Sequence, residues 1–238
     1  NAKDSVMMWG NYNGVPSHTV TILEGIRSAL GKDDKLIYEQ GCPWVGDEVL
    51  ESVFSECKSE GRPGFTARYW NNVNHEGKVD VETRVMTPFN FCTSGATVFA
   101  PGVNLTDFSA TYNATYVPKA SGEIVLDVYS YGKGRLLVNQ KEVMKYHNVH
   151  GGNKQSCALP VEAGKKYDIE LQFEYLQSDA QLNFDLGFKQ KVDVVRSVQA
   201  VRNADVVVFV GGISPSLEGE EMGVDLPGFK KGDRTSIE

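Results

Sequence analysis

The sequence predicts a parallel α/β sandwich, present in part, interrupted by an inserted antiparallel β-sandwich, and three observations carry that expectation. Apolar residues repeat at helical spacing near both ends: Ile22, Leu23, Ile26 and Leu30 early in the chain, and Val195, Val198 and Val201 with Val194 alongside late in it. A run without alternation, Val206-Val207-Val208-Phe209-Val210, follows the second of these, as expected of a strand covered on both faces. Between them, from Phe65 to about Lys189, the period falls to two, with Ile124, Leu126 and Val128, or Ile169, Leu171, Phe173 and Tyr175, on alternate positions. The expected domains are 1–58, the first part of the α/β domain; 59–189, the inserted β-sandwich; and 190–238, the continuation of the α/β domain.

Residues 5–9 form a short apolar strand candidate, and 10–17 a turn-rich loop holding Gly10, Asn11, Gly14 and Pro16. The first helix starts near Thr19, with Ser17 or Thr19 as its N-cap and Gly31 just past its end, where a left-handed residue closes a helix. Leu36-Ile37-Tyr38 reads as the next strand. Residues 47–57 read as a second helix, capped by Asp47, with Val49, Leu50, Val53, Phe54 and Cys57 on one face. Strand and helix in alternation mark a parallel sheet. The composition changes at Ser59-Glu60-Gly61-Arg62-Pro63-Gly64, and runs of β-branched and aromatic residues then point to strands at 65–70, 108–117, 122–131, 134–138, 166–175 and 181–188. A helix over 192–204 and the strand 205–210 return to the first pattern. Both flanks thus belong to one sheet, because a loop accepts a folded insert whose own ends lie close together.

With 24 basic against 31 acidic side chains in 238 residues, a net charge of −7, the chain offers no basic surface, so nucleic acid and anionic membrane are not expected partners. No apolar run approaches the ~18 residues of a membrane span. The opening Asn1-Ala2 and the halt at Glu238 in mid-motif read as the limits of an excised fragment.

Cys42, Cys57, Cys92 and Cys157 show no C-x-x-C pairing and no histidine at ligand spacing, so they read as small hydrophobes rather than as a zinc site or a disulfide framework. His147 and His150 stand three apart, but Asn148 and Gly151-Gly152 give that segment a loop composition. No metal and no cofactor is expected.

The residues that invite chemistry lie after the strand at 205–210: Gly211-Gly212, then the carboxylates Glu218, Glu220 and Glu221, then Gly232-Asp233-Arg234. An α/β sheet places its ligands in loops past the carboxyl ends of its strands. On spacing alone, a solvated acidic loop competes with a catalytic carboxylate. A nucleotide-binding reading fails, since Gly211-Gly212 is not followed by G-x-G-x-x-G.

Ile213-Ser214-Pro215-Ser216-Leu217-Glu218-Gly219-Glu220-Glu221, with Asp225-Leu226-Pro227-Gly228 and Gly232-Asp233-Arg234-Thr235-Ser236-Ile237, resembles the acid/base loop of glycoside hydrolase family 3. Gly10-Asn11-Tyr12-Asn13-Gly14-Val15-Pro16-Ser17 and Thr21-Ile22-Leu23-Glu24-Gly25-Ile26 resemble the start of that family's second, α/β-sandwich domain. The resemblance implies a retaining, exo-acting β-glucosidase or β-xylosidase working on plant-type oligosaccharides, the likeness of the Glu218 loop tilting towards the xylosidase. Glycoside cleavage needs a proton donor at the departing oxygen and a second carboxylate at the sugar carbon, about 5 Å away in retaining enzymes. Glu218 matches the family's acid/base, with Glu220 as fallback. Crowding by Glu220 and Glu221 would keep one of the three carboxyls protonated. The family's nucleophilic aspartate sits on a separate N-terminal barrel domain that nothing here resembles, so the fragment alone should be inactive. The implied partners are that barrel and an oligosaccharide, and the implied setting is bacterial, periplasmic or secreted.

Gly64-Phe65-Thr66-Ala67-Arg68-Tyr69-Trp70-Asn71, Phe108-Ser109-Ala110-Thr111-Tyr112, Pro118-Lys119-Ala120-Ser121-Gly122-Glu123, Gly134-Arg135-Leu136-Leu137-Val138-Asn139 and Ala163-Gly164-Lys165-Lys166-Tyr167 resemble the protective-antigen-type β-sandwich, a domain inserted in a subset of family 3 enzymes. That domain often holds calcium on adjacent aspartates; the matching place here reads Ser130-Tyr131-Gly132-Lys133, without them. The insert implies an accessory sugar contact through Tyr146, Asn148 and Asn153 in a glycine-rich loop over 146–153. The alternative is a carbohydrate-binding or adhesion module with no catalytic role, using Tyr69, Trp70, Tyr131 and Tyr146 as stacking faces and Asn71, Asn72, Asn148 and Asn153 as hydrogen-bonding groups. Asn104-Leu105-Thr106 and Asn113-Ala114-Thr115 fit the N-glycosylation pattern, which carries meaning only in a eukaryotic secreted protein.

Overall fold

The structure, a computed structural model, describes residues 2–3, 8, 18–93, 97–175, 180–213, 217–218 and 225–236. The chain divides into two units: Leu50–Lys189, and Asn1–Val49 with Gln190–Glu238.

The first unit is built on the alternation seen at 122–131, which runs farther than expected. The strands at 122–131 and 134–138 are one strand. Along the chain come β1 (Glu48–Ser52), β2 (Lys58–Ser59), β3 (Arg62–Pro63), β4 (Phe65–Trp70), β5 (Val81–Val85), β6 (Phe89–Cys92), β7 (Phe108–Tyr116), β8 (Gly122–Val138), β9 (Lys141–Val161), β10 (Tyr167–Tyr175) and β11 (Gln181–Lys191). They join in a single branched sheet. The first half of β8 pairs antiparallel with β11, from Val125↔Gly187 to Tyr131↔Gln181, and its second half with β10, from Lys133↔Glu174 to Val138↔Ile169. β9 follows β8 along both halves, β10 pairs β7, β7 pairs β4, and β4 pairs β5, all antiparallel. Every even-numbered residue of β8 from Ile124 to Val138 is buried, and nearly every odd-numbered one is not.

The enclosed face is aromatic. Phe54 stacks on Phe65 at 4.9 Å between ring centres, Phe65 meets Phe89 edge-on at 5.4 Å, and Phe89 touches Phe184 at 5.3 Å and Tyr112 at 4.6 Å. Such pairs add to the large apolar area each ring removes from water. Two glycines let β8 pass beneath this layer. A Cβ on Gly132, whose φ is +150°, would lie 2.5 Å from the Phe173 ring; one on Gly134 would lie 2.0 Å from the Gln172 carbonyl oxygen and 2.6 Å from the Tyr146 hydroxyl. A second fastener is Arg84 on β5. Its guanidinium donates to the carbonyls of Ser59 (3.1 Å), Arg62 (2.8 Å) and Pro63 (2.8 Å) and to Thr66 Oγ1 (3.3 Å), closing the turn between β2 and β3.

Three expectations differ from the structure here. Residues 47–57 are not a helix: β1 is followed by a 3₁₀ turn, Phe54–Glu56, because the edge of β11 takes the chain as a strand, with Val53 N–H donating to the Leu186 carbonyl at 2.9 Å. β9, with its lysines, asparagines and glycines, carries weak strand propensity and takes its order from β8. The expected loop over 146–153 lies inside β9, as a register shift: Asn148 pairs Gly132 and Asn153 pairs Ser130, so that 149–152 stand opposite Tyr131 alone.

The second unit holds α1 (Ile22–Ala29), α2 (Val194–Val201) and a small antiparallel meander of β12 (Asp225–Leu226), β13 (Phe229–Lys230) and β14 (Asp233–Arg234). The cap of α1 is Thr21, not Ser17 or Thr19. Thr21 Oγ1 accepts from Glu24 N–H at 3.2 Å, and Glu24 Oε2 accepts from Thr21 N–H at 2.9 Å, a reciprocal box that also holds the Glu24 carboxyl below its ordinary range. Asp193 caps α2 through Arg196 N–H at 2.9 Å. Residues 36–38 and 205–210 form no strand, and among the described residues of this unit there is no parallel ladder. Val206 is 78 % and Phe209 88 % exposed. β-branched residues favour a strand only when a neighbour takes up its backbone groups, and no described strand of this unit does so for 205–210. Most of 5–9 and all of the loop 10–17 lie outside the described residues.

Replacing Gly134 by alanine should destabilise the first unit by about 3 kcal/mol, since backbone oxygen blocks the new methyl group and β8 must shift. Urea unfolding followed by circular dichroism measures it; a loss below about 1 kcal/mol would mean that β8 does not pass so close to β10.

Candidate functional site

In the second unit the chain beyond 205–210 turns at Leu217, which is 6 % exposed, and presents Glu218 to solvent at the next position. Leu217 lines a cleft of about 360 Å³ whose other walls include Trp44, Ile213, Pro227, Phe229 and Arg234. The Arg234 guanidinium lies over the Phe229 ring, 5.8 Å from its centre, and Phe229 is buried beneath it. This is a cation–π contact between the central and last strands of the meander, where Phe229 and Arg234 are paired in register. Trp44 is 44 % exposed. Glu220 and Glu221 lie outside the described residues, and with them the expected crowding of three carboxylates.

In the first unit the structure corrects the sugar-contact reading. Tyr146 is 1 % exposed; its hydroxyl donates to the Gln172 carbonyl, its ring covers Gly134, and burial pushes its phenol far above the ordinary range. It is a core residue and offers no stacking face. Asn148 is half-buried, with Nδ2 donating to Ser130 O (3.2 Å) and Ser130 Oγ (2.9 Å), which holds the register shift together. Only Asn153 of the three is exposed. Tyr69 is buried too, and Trp70, half-buried, donates its indole N–H to the Gly77 carbonyl at 3.3 Å. The hydroxyls of Tyr69 and Tyr112, whose rings meet edge-on at 5.8 Å, are buried with no close partner other than each other among the described residues.

Sequence reasoning missed two places. One is Trp44, whose surroundings gave no periodic signal. The other is a polar cleft of about 590 Å³ in the first unit, lined by residues including Glu60, Asn113, Thr115, Asn139, Asp168 and Glu170. Its groups are largely spent on one another, as in Thr115 Oγ1 to Asp168 at 2.6 Å and Asn113 Nδ2 to Glu170 at 3.3 Å. Because these are cross-strand pairs of β7 and β10, only the register brings them together. Asn113 is thereby tied down within a strand, whereas Asn104 of the other sequon stands exposed in a loop.

Among the described residues no group of three or more His, Cys, Asp or Glu is placed to hold a metal ion. The four cysteines are free thiols: Cys42 exposed, Cys92 and Cys157 half-buried, Cys57 buried. Burial, helped by the charges of Asp185 and Glu56, pushes the Cys57 thiol up to about 12.

Residues 61–196 match the PA14 domain family. Over its whole length the chain is 40 % identical to a xylan 1,4-β-xylosidase of Xylanibacter ruminicola, and over 97 % of its length it is 27 % identical to a β-glucosidase of Rhizobium radiobacter. It spans 28 % of the length of each of these relatives. A solved β-glucosidase structure from Kluyveromyces marxianus overlaps 86 % of this chain and 26 % of its own, at 16 % identity and a TM-score of 0.49.

Tyr146→Phe should cost about 1 kcal/mol by taking the donor from the Gln172 carbonyl, whereas Tyr112→Phe should cost less, because the Tyr112 hydroxyl has no close partner beyond the neighbouring Tyr69 hydroxyl. Denaturant midpoints of the two variants measure this, and equal losses would refute it. With a thiol reagent at pH 8, Cys42 should react at once and Cys57 only after unfolding. Since the unfolded thiol ionises first, the Cys57 contribution to stability should fall as pH rises from the ordinary thiol range towards about 12. Rapid labelling of Cys57 in the folded chain would contradict its burial.

Proposed function

The chain belongs to the PA14 domain family, and on that basis we propose that it forms part of a retaining, exo-acting β-glycosidase of glycoside hydrolase family 3, with the PA14 domain set into the domain that carries the general acid/base. One observation carries this reading: the 40 % identity to a xylosidase runs through all of the chain, so it includes the flanks on either side of 61–196. A shared PA14 module alone would leave those flanks unmatched. The family 3 acid/base motif read from the sequence lies in one of them.

In this reading Glu218 protonates the glycosidic oxygen as the leaving group departs, then takes a proton from the water that releases the sugar from the nucleophile. The nucleophile is a carboxylate outside this chain, about 5 Å from Glu218 in the assembled site. The 238 residues alone therefore hydrolyse nothing. The segments 1–49 and 190–238 belong to one α/β sheet, and 205–210 is one of its strands, paired with polypeptide from elsewhere in the enzyme. The substrate is a β-linked xylo-oligosaccharide in preference to a β-glucoside, in line with 40 % against 27 % identity to the two relatives. A periplasmic or secreted setting follows from such a polymer-derived substrate.

In the complete enzyme, Glu218→Gln should lower kcat/KM roughly 10²–10⁴-fold for substrates with poor leaving groups and much less for a dinitrophenyl glycoside, whose leaving group needs no proton. Azide should restore turnover by replacing the water that the base would activate. A loss of equal size across leaving groups would mean that Glu218 is not the proton donor.

A further inference from the structure

The proton donor of a glycosidase acts at the oxygen between two sugars, so the sugar that departs must lie against the residues flanking the donor. The residue before Glu218, Leu217, forms part of the wall of the cleft. Leu217 is buried in that wall and fixes the backbone from which Glu218 projects. At about 360 Å³ the cleft falls in the range of small-ligand sites, roughly 300–1,000 Å³. Its lining is unlike that of an ordinary surface groove. Trp44 is 44 % exposed, and the guanidinium of Arg234, an exposed residue, lies over the Phe229 ring. Among the described residues no carboxylate pairs with Arg234. A pyranose has two apolar C–H faces and a rim of hydroxyls, so a flat aromatic surface and a planar donor suit it together.

We propose that this cleft receives the leaving-group sugar of a β-linked oligosaccharide, with Trp44 stacking on the pyranose face and Arg234 donating to its hydroxyls. The proposal rests on the glycosidase reading and adds residues that set preference for chain length. Trp44 and Arg234 bind and do not transfer protons, so their loss acts on substrates that have a leaving sugar and spares the chemistry at the sugar carbon.

The test compares two substrates in the complete enzyme. Xylotriose expels a sugar; β-xylosyl fluoride expels fluoride, which occupies no sugar site. Trp44→Ala, and separately Arg234→Ala, should raise KM for xylotriose at least about tenfold more than for the fluoride, with little change in the ratio of the two kcat values. Trp44→Phe, which keeps a stacking face, should restore most of the difference. If both substrates suffer alike, or neither does, while Glu218→Gln remains impaired, the cleft is not the leaving-group site and the glycosidase reading stands. If Glu218→Gln is as active as the parent enzyme, the reading itself falls and this inference with it.

Discussion

The hydrogen-bond ladders of β8 are the constraint on which the larger unit depends. One strand supplies partners to β11 over its first half, to β10 over its second and to β9 throughout, and β1, β6 and β7 are attached to it through one of these neighbours. A strand so placed must bury one face along its whole length, and the unbroken run of buried even-numbered residues from Ile124 to Val138 meets that demand. It must also slip under the side chains of two neighbours at its midpoint, and there the sequence turns to Gly132 and Gly134, at the cost of the strand propensity that larger residues would add.

What the sequence revealed follows from which signals are local. Period-two patterns at 122–131 and 166–175 report burial of one face, and burial in a sheet is what they produced. Two glycines in β8 imitated a turn, which divided one strand into two. β9 escaped notice because its composition is that of a loop and its order comes from across the ladder. The amphipathic pattern at 47–57 is genuine at helical spacing, yet the edge of β11 decided the outcome, as tertiary contact commonly overrides propensity. At 205–210 the composition of a buried strand is present while described partners within its unit are not.

The candidate site divides along the same line. Glu218 was singled out through the motif around it, and the residue before it, Leu217, lines a cleft that brings in Trp44, far away in sequence, beside the meander that follows. Tyr146 was misread although a signal existed: Met144 and Tyr146 are buried while Lys145 and His147 are exposed, a period of two hidden inside a segment whose asparagines and glycines suggested a tip. An aromatic residue in such a segment is first of all a candidate for the core, and its stacking face counts only once burial is known.

The two ends of the larger unit run side by side as β1 and β11, in opposite directions: Val53 bonds to Leu186, and six residues back Val192 bonds to Asp47. Among the described residues this unit therefore begins and ends in one pair of adjacent strands. Under mechanical load, a pull separating those ends would peel this ladder one hydrogen bond at a time instead of shearing many together, which makes it a weak seam. The same arrangement sets the two ends of the unit only the spacing of neighbouring strands apart, about 5 Å.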